Sequence, residues 1–531
     1  MLEPTAVFSV TSDGRTERDL FVNVIGVSHA VHLMQGLPIT PLSPPPAGLV
    51  LAYPSSKWKT IRSMLGFVIL LFIVSNVSTS LIFGGLLDSD FDGDLGPSEP
   101  WYTLFGSLCL IPCVAGFAFF RRPKLTHIIR AQNSVFGNTF NMITPQTAVQ
   151  TFEKVTVEHH LVRDTTPLEM PSGKQLWWLF FGGVFFSSVC MLPLLIMGLN
   201  LFTGVLFALV AIPAFIIGFS TPVFAWWSTS NTYFGLPTTR RLAEWMLIAG
   251  MISTLPAIAI NSFLSPLILN GAGLDTSEAT SLGFGLILML SAPIGEELCK
   301  AAAVLALARF IDSPRRGFQI GFTVGLGFAL LENSVYILGA FASGEEAAIT
   351  FALTSVLRAI SSIPGHGVWT GISGYAIGSY LNSRKQRLVF PGYQQSQFET
   401  TPANESWVLV DSSGHIMRHS VTEHMQPSMP PTWLSASSDK AIPLPIQPLR
   451  ALGFAMLLHS FWNGSIWALS LVLVDAHIFI GLLVSIVWLS VLILALWQFT
   501  RHILPTALAL ESGFTGQRKE STFQGEDYPR D

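Results

Sequence analysis

Long apolar stretches separated by short polar ones dominate the chain from residue 64 onward. A helix needs about 20 apolar residues to cross the hydrocarbon core of a bilayer, and stretches of that length recur about ten times. The pattern therefore predicts an all-α protein, a polytopic bundle of about ten transmembrane helices. The predicted spans are 64–86, 101–120, 176–198, 201–227, 243–269, 281–308, 318–342, 350–382, 449–473 and 477–500.

Charged residues between the spans predict the orientation of the bundle, because cytoplasmic loops hold more Lys and Arg than external loops. Lys57, Lys59 and Arg62 precede the first span, whereas the loop at 88–99 holds five acidic residues and no basic one. Basic and acidic loops continue to alternate up to the last span. Both termini are therefore predicted to be cytoplasmic.

The spans divide the chain into parts. These are a cytoplasmic N-terminal segment at 1–63, five helices at 64–270 with a cytoplasmic insert at 121–175, a second membrane region at 280–500 with a cytoplasmic loop at 383–448, and a cytoplasmic tail at 501–531. Within the loop, the stretch Trp407 to Asp411 followed by Ser-Ser-Gly favours a single hairpin.

Composition supports a membrane protein and excludes other classes. Half of the residues are hydrophobic and 12% are charged, and the mean hydropathy is +0.51. The net charge of −4 and the lack of a long Lys/Arg run argue against a nucleic-acid partner. All four cysteines lie in apolar stretches, so they predict neither a disulfide framework nor a metal knuckle. We expect a multi-pass protein of the cell membrane, with the lipid bilayer as its surroundings.

Ionisable side chains inside the predicted spans are concentrated in the sixth to ninth spans. An ionisable group deep in a bilayer is costly, so each one needs a partner or a task. The groups are Glu296, Glu297 and Lys300 in the sixth span, Glu332 with Asn333 in the seventh, Arg358 and His366 in the eighth, and His459 with Asn463 in the ninth.

These groups lie at similar depths. At a rise of about 1.5 Å per residue, Glu296, Glu332 and His366 lie roughly 20 Å from the cytoplasmic end of their spans. Asn463 lies at about the same depth and His459 at roughly 13 Å. A common depth predicts that four helices contribute to one site.

The residue types predict activation of water. Two adjacent carboxylates in a low dielectric are typical of a general base or acid, and Lys300 is within reach of both. His366 and His459 are suited to orienting a water or donating to a developing oxyanion, and the Asn463 carboxamide is suited to the latter. No Ser or Cys stands out as a nucleophile beside a base.

At these residues the chain resembles the PrsW family of intramembrane proteases, part of the wider group that includes the CAAX prenyl proteases. The resemblance covers roughly 280–470, which makes 280–500 the predicted catalytic region. The matching motifs are Glu296-Glu297-x-x-Lys300, Phe328-x-x-x-Glu332-Asn333, His366 ahead of a helix with Gly367, Gly371, Gly374 and Gly378, and His459-x-x-x-Asn463.

The resemblance implies hydrolysis of a peptide bond within or beside the bilayer, often in a single-span regulatory protein such as an anti-sigma factor. It implies that Glu296 activates the water, that Glu297 supports it and that His366 orients the water. His459 and Asn463 would polarise the scissile carbonyl. Lys300, Glu332, Asn333 and Arg358 are the expected supporting residues.

Metal dependence is left open by the residues. His366 and His459, together with a glutamate, could hold Zn²⁺ with an open position, but the His-Glu-x-x-His pair of a zinc helix is absent from the sequence. We therefore favour a metal-free glutamate mechanism, with zinc as the alternative.

Two other functions compete with proteolysis. An ion- or proton-coupled transporter is favoured by Pro293, Gly295 and the Pro364-Gly365 pair, which interrupt spans next to charged residues. A non-catalytic membrane scaffold would lack some of the site residues, and all four motifs are present. The structural alternative for Glu296, Glu297 and Lys300 is a buried ion pair that fixes the register of two helices.

Overall fold

The structure is a computed structural model. It describes residues 7–11, 25–26, 50–51, 56–87, 98–121, 125–144, 147–163, 168–236, 238–388, 407–408, 430–474 and 477–509.

Fourteen α-helices account for most of these residues. The first seven are α1 (Lys59–Leu87), α2 (Pro100–Cys109), α3 (Ile111–Arg121), α4 (Gly173–Met197), α5 (Leu201–Phe234), α6 (Arg240–Ala259) and α7 (Ser265–Gly271). The others are α8 (Leu282–Leu286), α9 (Ala292–Ala306), α10 (Pro314–Phe341), α11 (Ala347–Ile360), α12 (Ser362–Leu388), α13 (Pro448–Val472) and α14 (Ile478–Leu508). Two π-helical turns, Ile260–Leu264 and Ile287–Ser291, join α6 to α7 and α8 to α9.

Polar side chains cap the N-termini of several helices. The side chains of Ser172 and Asn200 each accept a backbone N–H three residues on, and so begin α4 and α5 with capping boxes. The side chains of Thr239 and Ser313 also accept a backbone N–H three residues on, and so cap α6 and α10. Pro314 is the first residue of α10. These caps provide hydrogen-bond acceptors for backbone N–H groups in the first turn, which have no partner within the helix.

Nine helical segments of the described chain are long and apolar enough to cross a membrane. They coincide with nine of the ten predicted spans. The exception is 449–473, which is the helix α13 but is less apolar because it carries His459 and Asn463. Nine of the ten predicted spans are thus matched by such a helix among the described residues. The side of the membrane on which each terminus lies stays a prediction.

A small antiparallel sheet accompanies the helices, which still make up most of the described residues, as predicted. Its strands are β1 (Val7–Thr11), β2 (Ile25–Gly26), β3 (Val50–Leu51), β4 (Leu125–Thr144), β5 (Thr147–Arg163) and β6 (Trp407–Val408), with the order β2-β5-β4-β1-β3 and β6 also paired with β5. Most of it is the long hairpin of β4 and β5, which occupies the insert predicted at 121–175. Trp407 begins a strand as predicted, but it pairs with Thr151 of β5. The rest of the predicted hairpin lies outside the described residues.

Helix α10 lies at the centre of the bundle. In an apolar stretch of 18 residues within this helix 67% of the residues are buried, whereas in the corresponding stretch of the helix at Phe479–Leu508 only 6% are buried. Its glycines permit close packing on two sides. A Cβ on Gly325 would meet the backbone of His366 in α12, and one on Gly327 would meet the backbone of Gly250 in α6.

The predicted span 350–382 is broken into α11 and α12 at Ser361, which has φ −125° and ψ −79°. The break frees backbone carbonyls, and two indole N–H groups satisfy them. Trp226 donates to the carbonyl of Ala359 at 2.9 Å and Trp497 to that of Ile360 at 3.0 Å. Arg358 and His366 thus lie on different helices on either side of the break.

Candidate active site

The ionisable residues predicted from four spans meet in one buried cluster. Helix α9 carries Glu296, Glu297 and Lys300 on one face, because residues three and four apart are neighbours on a helix. Glu332 comes from α10, and the remaining groups come from the helices that follow. The sequence predicted only that these residues lie at a similar depth in the membrane. The structure shows that they are also in contact with one another.

Lys300 is the centre of the cluster. Its side chain is completely buried. Its ammonium lies 2.8 Å from Glu297 Oε1, 3.3 Å from Glu296 Oε2 and 2.8 Å from His366 Nδ1. The ammonium also lies 4.0 Å from the ring centroid of Phe328. Its three N–H groups thus match three acceptors, which satisfies the need of a buried charge for partners.

Glu296 and Glu297 differ in access. The Glu297 side chain is completely enclosed, whereas that of Glu296 is 10% exposed. Glu297 Oε1 accepts from Lys300 and from His459, and Glu297 Oε2 has no partner within the described part of the chain. Glu296 is therefore the more exposed carboxylate of the pair.

His459 of α13 lies against both glutamates. Its Nδ1 is 3.1 Å from Glu297 Oε1 and its Nε2 is 3.8 Å from Glu296 Oε2. Because an ionised carboxylate can only accept, Nδ1 carries a hydrogen and donates it to Glu297. The ring stacks on Trp369 at 4.5 Å between centroids, which fixes its plane.

Glu332 forms the other half of the cluster. Its Oε2 lies 2.9 Å from Arg358 Nη2 and 2.9 Å from His366 Nε2. Arg358 Nε donates to Asn333 Oδ1 at 2.5 Å, and Asn333 Nδ2 donates to the carbonyl of Phe219 at 3.0 Å. Arg358 is thus a counter-ion of Glu332, and Asn333 links it to the backbone of α5.

His366 joins the two halves of the cluster. An ammonium can only donate, so Nδ1 accepts from Lys300 and Nε2 carries the hydrogen that it donates to Glu332. Both ring nitrogens therefore have a protein partner. The expected role of His366 in orienting a water stays a prediction.

Two carboxamides lie near the cluster. Asn463 is half-buried one helical turn after His459, and its part in polarising a carbonyl stays a prediction. Asn261, in the π turn that follows α6, donates from Nδ2 to Glu296 Oε1 at 3.2 Å. Asn261 is not among the residues predicted from the sequence, because an uncharged amide in an apolar span is a weaker signal than a carboxylate.

One ligand atom from each of Glu296, His366 and His459 lies within 4.8 Å of the others, so these three buried residues could hold a metal ion. The donor types suit zinc, which takes two imidazoles and a carboxylate in open sites. The arrangement does not suit it, because the Lys300 ammonium lies within hydrogen-bonding distance of Glu296 and of His366. A cation bound there would have to displace Lys300.

Residues 238–394 match the sequence model of a family described as PrsW family intramembrane metalloprotease. The matched region includes Glu296, Lys300, Glu332 and His366, and it ends before His459. No curated protein and no solved structure matches the chain. The resemblance drawn from the motifs is confirmed over the matched region.

Proposed function

We propose a mechanism for this multi-pass membrane protein from the premise that its residues 238–394 are a PrsW-family intramembrane protease domain, which makes it a hydrolase acting on peptide bonds. In the proposal, Glu296 activates a water that attacks a peptide bond of a membrane-embedded or membrane-adjacent protein. The observation that carries it is the buried cluster itself, in which Glu296, the more exposed carboxylate of the Glu296–Glu297 pair, is surrounded by groups that fix its position.

Glu296 has the access and the support that a general base requires. Lys300 lies against one of its oxygens and Asn261 against the other. A positioned carboxylate is the usual partner for removing a proton from water as the water attacks. Glu297 is enclosed and already accepts two hydrogen bonds, so we assign it to holding Lys300 and His459 in place.

His459 is suited to stabilising the oxyanion. Its Nδ1–H is held by Glu297, which leaves Nε2 3.8 Å from Glu296 Oε2. A second proton, on Nε2, would let the ring donate to the oxygen of the scissile carbonyl. Asn463, one turn further along α13, would add an uncharged donor.

Lys300, His366, Glu332 and Arg358 are positioning residues in this proposal. They form a continuous chain of contacts of 2.8–2.9 Å from Lys300 through His366 and Glu332 to Arg358. Each charge in the chain is paired, so it holds the helices in one register. Buried polar groups of this kind keep a unique arrangement because each alternative leaves one of them without a partner.

No step in this proposal runs through a metal. If a zinc ion were bound, Glu296, His366 and His459 would hold it, and the ion would supply a Lewis acid and lower the pKa of bound water. The contacts of Lys300 with Glu296 and His366 favour the glutamate mechanism, since the ammonium already neutralises the carboxylates that a metal would use.

The substrate follows from the family and from the place of the site. The cluster lies inside the predicted spans, so a peptide bond must enter the membrane layer or its edge to reach Glu296. We propose a single-span regulatory protein of the cell membrane as the substrate class.

A comparison of membrane-protein fragments tests the proposal and finds the substrate at the same time. Cells carrying the wild-type chain are compared with cells carrying Glu296→Gln, and we expect specific fragments to be lost in the variant. A span whose fragment is lost is then made as a labelled reporter, and its cleavage is measured in proteoliposomes.

Glu244→Gln is the matched control, because Glu244 is also a buried carboxylate paired four residues away, with Arg240 at 2.9 Å, but lies outside the cluster. We expect it to retain cleavage. Unchanged fragments in Glu296→Gln would refute the proposal, and solute or ion flux through liposomes without any cleavage would support a transporter instead.

A further inference from the structure

Asn261 occupies an unusual piece of helix beside Glu296. The π turn Ile260–Leu264 follows α6, and the π turn Ile287–Ser291 precedes α9, the helix of Glu296. The hydroxyls of Ser265 and Ser291 hydrogen-bond to each other, so the two turns are tied together. Single π turns within α-helices are rare and frequently lie at functional sites.

The local sequence brings the first π turn close to α9. Gly295 precedes Glu296, and a Cβ at Gly295 would lie 3.1 Å from the Ile260 side chain. The absence of that Cβ lets the turn approach α9. Asn261, the next residue, then reaches Glu296 Oε1 with its amide nitrogen at 3.2 Å.

The orientation of the Asn261 amide follows from Glu296. An ionised carboxylate can only accept a hydrogen bond, so the NH₂ group must face Glu296 and the oxygen must face away. That oxygen, Oδ1, is buried and has no hydrogen-bond partner within the described part of the chain. A buried acceptor without a donor is unfavourable, because it has lost its hydrogen bond to water and gained none in return. The arrangement is therefore complete only when a ligand supplies a donor.

We propose that Asn261 positions both Glu296 and the attacking water, an inference that rests on the proposed function. Its Nδ2 holds the carboxylate, and its Oδ1 accepts one O–H of the water while the other O–H points to Glu296. In the step, Glu296 takes one proton as the water oxygen bonds to the carbonyl carbon and the carbonyl electron pair moves to its oxygen. The second proton stays on the attacking oxygen, next to Asn261.

Three variants in proteoliposomes, assayed with the labelled reporter span, test the inference. Asn261→Leu has a similar volume and loses both polar atoms. Asn261→Asp has the same size, keeps an acceptor and replaces the donor. Asn270→Leu is the control, because Asn270 is an asparagine of the same span that accepts from Thr276 outside the cluster. We expect kcat to fall about 100-fold for Asn261→Leu and about tenfold or more for Asn261→Asp, with KM changed less than about threefold. The kcat of Asn270→Leu should stay within about threefold of wild type.

A purely structural role makes a different prediction when Glu296 is shortened. In a Glu296→Asp background the carboxylate no longer reaches Asn261, so Asn261→Leu loses only the contact with the water and kcat should fall by a smaller factor than in the wild-type background. A structural role would give the same loss in both backgrounds. An equal loss, or wild-type kcat in Asn261→Leu, overturns the inference. If Asn261→Leu fails to fold, the equal-sized Asn261→Asp decides, and wild-type kcat in that variant overturns the inference.

The proposed role of Glu296 and the proposed role of Asn261 can be refuted separately. Cleavage that persists in Glu296→Gln refutes Glu296 as the base, whatever Asn261 does. An inactive Glu296→Gln together with fully active Asn261 variants refutes only the inference about Asn261.

Discussion

Replacing Gly325 with alanine tests whether close backbone contact between α10 and α12 sets the geometry of the site. A Cβ at this position would lie 2.6 Å from the carbonyl carbon of His366 and 2.9 Å from Cα of Gly367, and closer still to the carbonyl oxygen of His366. Carbon atoms in contact are about 3.5–4.0 Å apart. The two helices must therefore separate by about 1 Å at His366.

The displacement falls on the residue that joins the halves of the cluster. A shift of about 1 Å would lengthen the 2.9 Å contact from His366 Nε2 to Glu332 Oε2, which lies on α10, beyond hydrogen-bonding distance. A misplacement of this size costs about 100-fold in rate. Overpacking would also lower the free energy of unfolding by about 1–3 kcal/mol, offset by about 0.5–1 kcal/mol from replacing a helical glycine.

The assay is cleavage of the reporter span in proteoliposomes, with unfolding followed in mixed micelles. Gly339→Ala is the control, because Gly339 lies on the same helix with no atom within 4 Å of its Cβ position. We expect the control to keep its activity and to be slightly more stable. Activity of Gly325→Ala within about threefold of wild type would refute the view that this contact positions His366.

Three further predictions follow from the contacts of the described residues. Lys300→Met leaves the enclosed Glu297 without its cation, so the free energy of unfolding in mixed micelles should fall by about 3–5 kcal/mol, and a loss below about 1 kcal/mol would contradict the pairing. Treatment with 1,10-phenanthroline should leave reporter cleavage unchanged, and loss of cleavage restored by added zinc would instead make Glu296, His366 and His459 metal ligands. Trp226→Phe removes the donor to the carbonyl freed at the helix break and should lower the free energy of unfolding by about 1–3 kcal/mol, whereas an unchanged melting temperature would argue against that role.

Most of the candidate site could be predicted from the sequence because charged groups are rare in apolar spans. Glu296, Glu332 and His459 stand out for that reason, and depth along each helix was enough to predict that they meet. Their pairing could not be predicted. Lys300 contacts His366, 66 residues further along the chain. This contact depends on how closely α9, α10 and α12 approach one another, and the spacing of residues within one helix gives no information about the distance between helices.

The π turns beside the cluster mark the limit of assigning helix faces from a 3.6-residue period. Each π turn inserts an extra residue, so positions after it rotate relative to an unbroken helix. A phase counted through Ile260–Leu264 as regular helix therefore assigns the wrong faces beyond the turn. The β4–β5 hairpin was not predicted for a different reason. It lies between spans, and the search for apolar stretches that identifies spans does not predict the secondary structure of the loops between them.

The difference between nine and ten spans has the same physical cause as the site itself. Helix α13 is 25 residues long, enough to cross a bilayer. Its hydropathy is lowered by His459 and Asn463, the side chains that we assign to the oxyanion. Such residues are tolerated in a span when the protein offers them partners, and Glu297 offers one to His459 at 3.1 Å. The helix that a hydropathy criterion passes over is thus one that carries polar residues of the proposed site. The His459→Leu substitution should make this helix more apolar and abolish cleavage of the reporter.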